Sequence, residues 1–267
     1  MRRVVCGVAY SVLPGYRPLE LDVHLPEDVT APLPVVVEVH GGGWLRGSRG
    51  EFIPGLTDDE TFGRITNAGF AVVAPSYRLS GEAHFPAQLD DLRAALGWVS
   101  ESGGEHGLDP GRVVLWGSSA GGTIAALVAL DSPSPVRGVV DWFGPSDLVA
   151  MAEHTRARGA EEPGGSREDR WLGGWVLDRL DLARAASPVH AVRAGAPPFH
   201  LAHGANDDDV PPSQTIAFAD ALASAGVAVD VQLERGAAHL WRGASPDRIA
   251  ALFDAAILFA QSVVGEH

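Results

Sequence analysis

The chain has 267 residues, of which 46% are hydrophobic, so its length and composition fit one large globular domain. Its 34 acidic residues outnumber 20 lysines and arginines, and all 20 are arginine. A formal net charge of -14 without a basic stripe argues against nucleic acid as a partner and against polyanionic substrates. The single cysteine, Cys6, excludes a disulfide within the chain.

The first ten residues combine two arginines with a short apolar run that is interrupted by Pro14 and Gly15. A secretory signal needs a longer apolar region and a cleavage site. The run therefore predicts a first β-strand, and we expect a cytoplasmic protein. No run reaches the ~20 apolar residues of a membrane span, so no membrane-spanning segment is expected.

Strand and helix patterns alternate along the rest of the chain. Residues 19–25 alternate with a period of two, and residues 35–39 are almost all β-branched, as in a buried parallel strand. The predicted strands are 19–25, 35–39, 71–74, 113–116, 136–142, 199–202 and 229–233, and the predicted helices are 60–68, 86–102, 123–130, 212–225 and 247–264. This alternation predicts an α/β fold in one domain, residues 1–267, with a mostly parallel, doubly wound sheet and helices on both faces.

One stretch, residues 146–194, breaks this rhythm and is polar and glycine-rich around residues 159–165. Two interpretations are open: a small mobile lid over a site, or a solvated insertion without a function. Its position after a late strand favours the lid.

A Gly-x-Ser-x-Gly turn connects the predicted strand 113–116 to the predicted helix 123–130, with Gly117 and Gly121 on either side of Ser119. Strand, sharp turn and helix are the context in which this pattern forms a nucleophile elbow. The serine then lies at a helix N-terminus, where backbone N–H groups are free to face an anion. An ordinary glycine-rich turn is the alternative interpretation.

A glycine-rich loop, from His40 to Trp44, directly follows the predicted strand 35–39. Three consecutive glycines allow backbone N–H groups to approach a ligand closely. Beside a serine nucleophile, such a loop predicts an oxyanion hole. We expect His40 to hold the loop as a scaffold and not to act as a base, whereas Trp44 is either a pocket wall or core packing.

Two further polar loops follow the last two predicted strands. Residues 203–211 contain the consecutive acids Asp207, Asp208 and Asp209, and residues 236–241 contain His239. An acid can orient an imidazole and stabilise its charged form, and the order Ser119, Asp, His239 is the chain order of α/β-hydrolases. The three aspartates leave the choice of acid open, and no ligand spacing supports a metal site.

The chain resembles the α/β-hydrolase esterases, in the group that includes BD-type feruloyl esterases and the wider carboxylesterase and lipase family. The stretches that carry the resemblance cover most of the chain and are residues 21–26, 40–44, 77–79, 85–88, 117–122, 143–148, 197–199, 203–211 and His239. The resemblance implies that Asp207, four residues after His203, is the acid of a triad. It also implies that the N–H groups of Gly42, Gly43 and Ala120 are the oxyanion donors.

Some residues depart from related patterns. Hormone-sensitive-lipase-like esterases usually carry Asp where this chain has Ser118, and they carry an N-terminal helical cap where this chain has predicted strands. Glu38 is unusual in a central strand, because a lone buried carboxylate is costly. We expect Glu38 to have a partner, with Arg78 as one candidate.

These observations predict a serine esterase that hydrolyses small-molecule carboxylic esters through an acyl-enzyme, without cofactor or metal. Trp44, Ser118 and Trp241 are the predicted pocket residues. Two alternatives are open: an arylformamidase-like amide hydrolase and a non-catalytic binder on a hydrolase scaffold. The sequence does not indicate the acyl group, the alcohol group or the oligomeric state.

Overall fold

Eight strands form one sheet in the computed structural model, which describes residues 2–27, 32–131, 136–159 and 164–265. The strands are Arg3–Ser11 (β1), Leu19–Leu25 (β2), Leu33–Val39 (β3), Ala71–Pro75 (β4), Leu108–Ser118 (β5), Val136–Trp142 (β6), Phe199–Gly204 (β7) and Val229–Glu234 (β8). Their order across the sheet is β1-β2-β4-β3-β5-β6-β7-β8. β2 pairs antiparallel with β1 and β4, and every other pairing is parallel.

Helices cover both faces of this sheet. Those of the described residues are Arg64–Asn67 (α1), Ala87–Ser102 (α2), Ala120–Leu130 (α3), Leu148–Ala157 (α4), Arg167–Leu172 (α5), Leu180–Ala185 (α6), Pro188–Ala191 (α7), Ser213–Ser224 (α8) and Pro246–Val264 (α9). Apolar residues of α2, α3 and α8 form one core with the sheet, and residues of α1 and α9 form a second core on the other face. The predicted mostly parallel α/β fold is therefore confirmed, and it is the α/β-hydrolase fold. None of the described helices is a candidate for a membrane span.

Most predicted elements agree with the structure to within three residues, but two differ more, and the helices α4 to α7 were not predicted. β5 begins at Leu108 and not at Val113, because Leu108 pairs with Leu33 at the start of β3. In place of the predicted helix 60–68, the structure has a short π-helix, Asp59–Gly63, followed by the single turn of α1.

The strand order brings two loops together at the middle of the sheet. From β3 the chain moves outward to β4 and then returns past β3 to form β5 on its other side. Val39, the last residue of β3, pairs with Gly117 of β5. The loops that follow these two strands therefore leave the sheet side by side, at the switch point where ligands bind in such folds.

The stretch 146–194 contains α4 to α7, and its residues 160–163 lie outside the described residues. Trp171, in α5, is fully buried, and its indole N–H donates a hydrogen bond to the Gln88 side chain at 2.8 Å. This tryptophan also stacks on Trp44 with ring centroids 4.2 Å apart. The middle of the stretch thus packs on the body of the protein, and the lid interpretation stays a prediction.

The predicted pairing of Glu38 with Arg78 is wrong. The Arg78 guanidinium instead pairs with Asp91 of α2, with its closest N–O distance at 2.7 Å, and it also donates to the carbonyl of Ala87, the first residue of that helix, at 3.1 Å. Glu38 is fully buried, and neither of its carboxyl oxygens has a hydrogen-bond partner among the described residues. Burial raises the pKa of Glu38 well above its usual range, so the group is neutral and needs no cation.

Replacing Asp91 by alanine is expected to lower the free energy of unfolding by about 3 kcal/mol or more, because it leaves the Arg78 guanidinium largely buried without a counter-charge. Urea denaturation measures this change. The matched control is Asp254→Ala, which removes a carboxylate that is 62% exposed and paired with Arg64. It should cost less than about 1 kcal/mol. Equal losses in the two variants would contradict a structural role for the Arg78–Asp91 pair.

Candidate active site

Ser119 occupies a sharp, strained turn between β5 and α3. Its backbone φ of 53° and ψ of -122° lie in a region that L-residues rarely adopt. The Ser119 N–H donates to the Trp142 carbonyl at 2.8 Å, and the Ser119 carbonyl accepts from the Gly122 N–H at 2.9 Å. These bonds hold the turn and place the serine at the first turn of α3.

Only glycine fits at the two glycine positions of the turn, because a Cβ atom at either one would overlap the backbone. A Cβ atom on Gly121 would overlap the carbonyl oxygen of Val39 and lie 2.6 Å from that of His40. A Cβ on Gly117 would overlap the Gly121 carbonyl. Because only glycine fits, α3 packs directly against the end of β3, and Ser119 lies beside the glycine loop that follows that strand.

The structure brings Ser119, His239 and Asp207 together from three loops. His239 Nε2 lies 3.1 Å from Ser119 Oγ, and His239 Nδ1 lies 2.7 Å from Asp207 Oδ2. All three residues are buried, with 3% to 5% of their surface exposed. An ionised carboxylate only accepts hydrogen bonds, so the proton of neutral His239 belongs on Nδ1, and Nε2 is free to accept from the serine.

Asp207 is held as an anion. Burial by itself would raise its pKa, but hydrogen bonds from His203 and His239 keep the pKa of this carboxyl well below its usual range. The second oxygen, Oδ1, accepts from the N–H groups of Asp209 and Val210, each at 2.9 Å. The carboxylate therefore stays charged and oriented toward the imidazole.

The two neighbouring acids pair with arginines and not with His239. Asp208 is 82% exposed and pairs with Arg158 at 3.3 Å. Asp209 pairs with Arg242 at 2.9 Å. Of the three consecutive aspartates, Asp207 is thus the one that contacts the imidazole.

Phe143, which the sequence reasoning did not single out as a site residue, packs on the imidazole. Its ring centroid lies 4.8 Å from that of His239, in an edge-to-face arrangement. The residue directly follows β6 with a positive φ of 46°, and its N–H donates to the Ala202 carbonyl at 2.8 Å. Its place at the end of a predicted strand, before Gly144, was the available sequence signal.

His40 supports the glycine loop from below. It is 1% exposed and stacks on Tyr77 with ring centroids 4.1 Å apart. The Tyr77 hydroxyl donates to the His40 carbonyl at 3.0 Å. Burial lowers the pKa of His40 to about 4, so its ring is neutral. These contacts fit a scaffold and give the ring no path to a substrate proton.

The backbone of the glycine loop offers free donors. Gly42 and Gly43 have φ values of 110° and 61°, which glycine adopts without strain. Within the described part of the chain, no hydrogen bond between protein groups uses the N–H of Gly42, Gly43 or Ala120. Ala120 is the first residue of α3, where helical N–H groups lack partners.

A cavity of about 390 Å³ opens onto the serine. Its lining consists of Gly41, Gly42, Gly43, Leu45, Arg46, Gly47, Glu51, Phe52, Pro54, Ser118, Ser119, Arg167, Asp209, His239, Leu240 and Arg242. Ser118, one of the three predicted pocket residues, lines it with Ser119 and the glycine loop.

Trp44 and Trp241 do not line this cavity, which corrects the prediction for both. Each is 1% exposed. Trp44 is occupied by its stacking on Trp171, and Trp241 packs edge-to-face on Trp142 at 5.2 Å and on Phe143 at 4.9 Å. Both rings bury a large apolar area against other aromatic rings, which stabilises the fold and keeps them out of the cavity lining.

Comparison with known proteins identifies relatives along most of the chain. A family model described as BD-FAE matches residues 21–222. Esterase LipQ of Mycobacterium tuberculosis is 31% identical over 254 residues, which cover 85% of this chain and 55% of LipQ. Carboxylesterase NlhH of the same species is 31% identical over 240 residues, which cover 84% of this chain and 72% of NlhH. The chain thus spans little more than half the length of LipQ.

Solved structures share the fold. A truncated carbohydrate esterase from gut microbiota superposes with a TM-score of 0.81 at 21% identity, covering 97% of this chain and 96% of that one. Propionate-bound Est2, an esterase of the planctomycete Thermogutta terrifontis, gives a TM-score of 0.74 at 24% identity and covers 97% and 95% of the two chains.

Gly121→Ala is expected to lower the free energy of unfolding by about 3 kcal/mol or more, because the added methyl group meets backbone carbonyls that cannot rotate away. Thermal and urea denaturation measure the loss. Gly97→Ala is the control: it lies inside α2, and its added Cβ meets no atom within 4 Å. That change should raise stability by about 0.5–1 kcal/mol. A neutral Gly121→Ala would contradict the packing described for the turn.

Proposed function

We propose that this chain, which belongs to the BD-FAE family, hydrolyses carboxylic esters of small molecules as a serine esterase. The observation that carries the proposal is the continuous hydrogen-bonded path from Ser119 Oγ through His239 to Asp207, at 3.1 Å and 2.7 Å. The names of the relatives, esterase for LipQ and carboxylesterase for NlhH, support the same reaction class.

Acylation starts at Ser119. Its Oγ attacks the ester carbonyl carbon while His239 Nε2 accepts the hydroxyl proton. Asp207 accepts a hydrogen bond from the Nδ1–H of His239, which orients the imidazole and stabilises the imidazolium that forms. When the tetrahedral intermediate collapses, the ester C–O bond breaks, the leaving alcohol takes the proton from Nε2, and the acyl group stays on Ser119.

Deacylation repeats these steps with water. His239 accepts a proton from the water as its oxygen attacks the acyl carbon, and Ser119 Oγ leaves and regains that proton. In both steps negative charge develops on the former carbonyl oxygen. The free N–H groups of Gly42, Gly43 and Ala120 are the donors we assign to that oxyanion, and such preorganised donors stabilise the transition state by about 3–4 kcal/mol each.

Ser119→Ala is expected to reduce kcat on p-nitrophenyl acetate to below about one hundredth of the wild-type value, because loss of the nucleophile leaves only the oxyanion hole. Stopped assays of p-nitrophenol release measure it. Labelling of the wild type by a fluorophosphonate probe should disappear in the variant, while its Tm stays close to that of the wild type.

Two outcomes would redirect the proposal. Wild-type protein that neither labels nor turns over esters is a binder on a hydrolase scaffold. Wild-type protein that turns over N-formylkynurenine with a higher kcat/KM than p-nitrophenyl esters is an amide hydrolase.

Asp207→Asn is expected to lower kcat roughly 10⁴-fold, as in the serine-protease triad, because the amide favours the wrong imidazole tautomer. Asp208→Asn is the matched control, since its side chain is 82% exposed, pairs with Arg158 and lies outside the cavity lining. Surface substitutions of this kind usually change little. Asp209→Asn should also cost far less than Asp207→Asn, because Asp209 lines the cavity but pairs with Arg242 and not with His239. If Asp208→Asn or Asp209→Asn is the crippled variant and Asp207→Asn is not, the acid has been assigned to the wrong residue.

A further inference from the structure

Arg167 covers the glycine loop of the site. It is the first residue of α5, and its aliphatic stem lies across Gly43: a Cβ added to that glycine would overlap Arg167 Cδ and lie 3.1 Å from Cγ. Arg167 also lines the same cavity as Ser119 and His239. A permanently charged guanidinium therefore stands in the wall of the proposed ester site, next to one of the proposed oxyanion donors.

Among the described residues, no carboxylate forms an ion pair with this guanidinium. Arg167 is half-buried, and among the described residues it makes no side-chain hydrogen bond and no ion pair within 4.0 Å. Its sequence neighbour Glu168 is buried, which raises the pKa of that carboxyl, while the Arg167 charge lowers it. The two groups therefore attract each other, but they do not form an ion pair within 4.0 Å. The cavity arginine nearest the histidine loop, Arg242, is by contrast neutralised by Asp209 at 2.9 Å.

Arg167 is half-buried, whereas the other described arginines that make no side-chain hydrogen bond or ion pair are exposed: Arg3, Arg46, Arg156, Arg170 and Arg235. Acidic residues outnumber basic ones by 34 to 20, and arginines elsewhere, such as Arg49, Arg78 and Arg248, pair with carboxylates. Partly burying a charge without a partner costs free energy. That cost is offset if the partner arrives with the substrate.

From these contacts we infer that the preferred esters carry a carboxylate, and that the Arg167 guanidinium binds it. The inference rests on the proposed esterase function. An arginine fork matches a carboxylate with two parallel hydrogen bonds, which fixes the ester relative to Ser119. If the carboxylate lies on the acyl side, the acid released is a dicarboxylate. If it lies on the alcohol side, the alcohol released is a hydroxy acid.

The same cavity disfavours substrates that carry several negative charges. Glu51 lines it as an exposed, unpaired acid within the described residues, and the net charge of -14 repels polyanions at long range. A carboxylate placed at Arg167 gains a local attraction from a half-buried charge, whereas the other two arginines of the lining are the exposed Arg46 and the Asp209-paired Arg242. Glu51 and Arg167 should therefore act on such substrates in opposite directions.

Two isosteric substrate pairs test this inference. The acyl-side pair is p-nitrophenyl hydrogen adipate and p-nitrophenyl adipamate, and the alcohol-side pair is p-acetoxybenzoate and p-acetoxybenzamide. The quantity measured is the ratio of kcat/KM for the anionic member to that for the neutral member. Comparing this ratio between enzyme variants cancels the intrinsic reactivity of each ester.

Arg167→Gln is expected to lower the ratio about 10-fold or more for one of the two pairs, the effect of one charge-assisted hydrogen bond. The pair that responds identifies the side of the ester that carries the carboxylate. Arg167→Lys should retain part of the ratio, and Glu51→Gln should raise it. Arg170→Gln is the matched control, because it removes an exposed charge from the same helix, outside this cavity, and should leave the ratio unchanged.

A ratio that stays within about twofold in Arg167→Gln for both pairs, or that falls equally in Arg170→Gln, would overturn the inference. Should Arg167→Gln fail to fold, Glu51→Gln decides alone, and an unchanged or lower ratio would overturn it. Turnover of the neutral esters by the wild type keeps the esterase proposal intact in each case. Absence of turnover of all four esters would instead contradict the esterase proposal itself.

Discussion

The close contact between the start of α3 and the end of β3 is the constraint on which the rest of the site depends. Gly121 has no room for a side chain beside the Val39 carbonyl, and this approach sets the distance between the serine turn and the glycine loop. Hydrogen bonds to neighbouring backbone groups hold Ser119 in its strained conformation. One of them is the bond from the Ser119 N–H to the Trp142 carbonyl. The geometry of the proposed active site is therefore a consequence of packing between two adjacent parallel strands and one helix.

Three buried carboxyl groups show how local environment sets charge. Asp207 receives two backbone N–H bonds and two imidazole contacts, and its pKa lies well below the usual range. Burial raises the pKa of Asp141 to about 7, with one N–H bond from Gly144 in partial compensation. Glu38 has no donor among the described residues, and burial raises its pKa well above the usual range. At Asp207, hydrogen bonds to the charged form outweigh the effect of burial. The carboxylate therefore stays charged and can act as the counter-charge of the imidazolium in the proposed mechanism.

The stretch 146–194 is tied to the glycine loop at two points. Trp171 stacks on Trp44 at the end of the loop, and the stem of Arg167 covers Gly43. Both contacts come from the short helix α5, so a shift of this helix would alter the cavity wall and the environment of the proposed oxyanion donors together. These contacts favour a role in the site for this part of the stretch over that of a solvated insertion.

Outside residues 146–194, where the helices α4 to α7 were not predicted, the sequence by itself determined the kind and order of most elements, because alternation, β-branched runs and glycine positions are local steric properties. It also placed Ser119 in a strand–turn–helix context. Only the tertiary structure decided which of three adjacent aspartates meets His239, since a loop of consecutive acids has no periodicity that orients them. It likewise decided that Arg78 forms an ion pair with Asp91 and that Trp44 and Trp241 are core residues. Partners far apart in sequence are chosen by how strands and helices pack, and no local pattern encodes that choice.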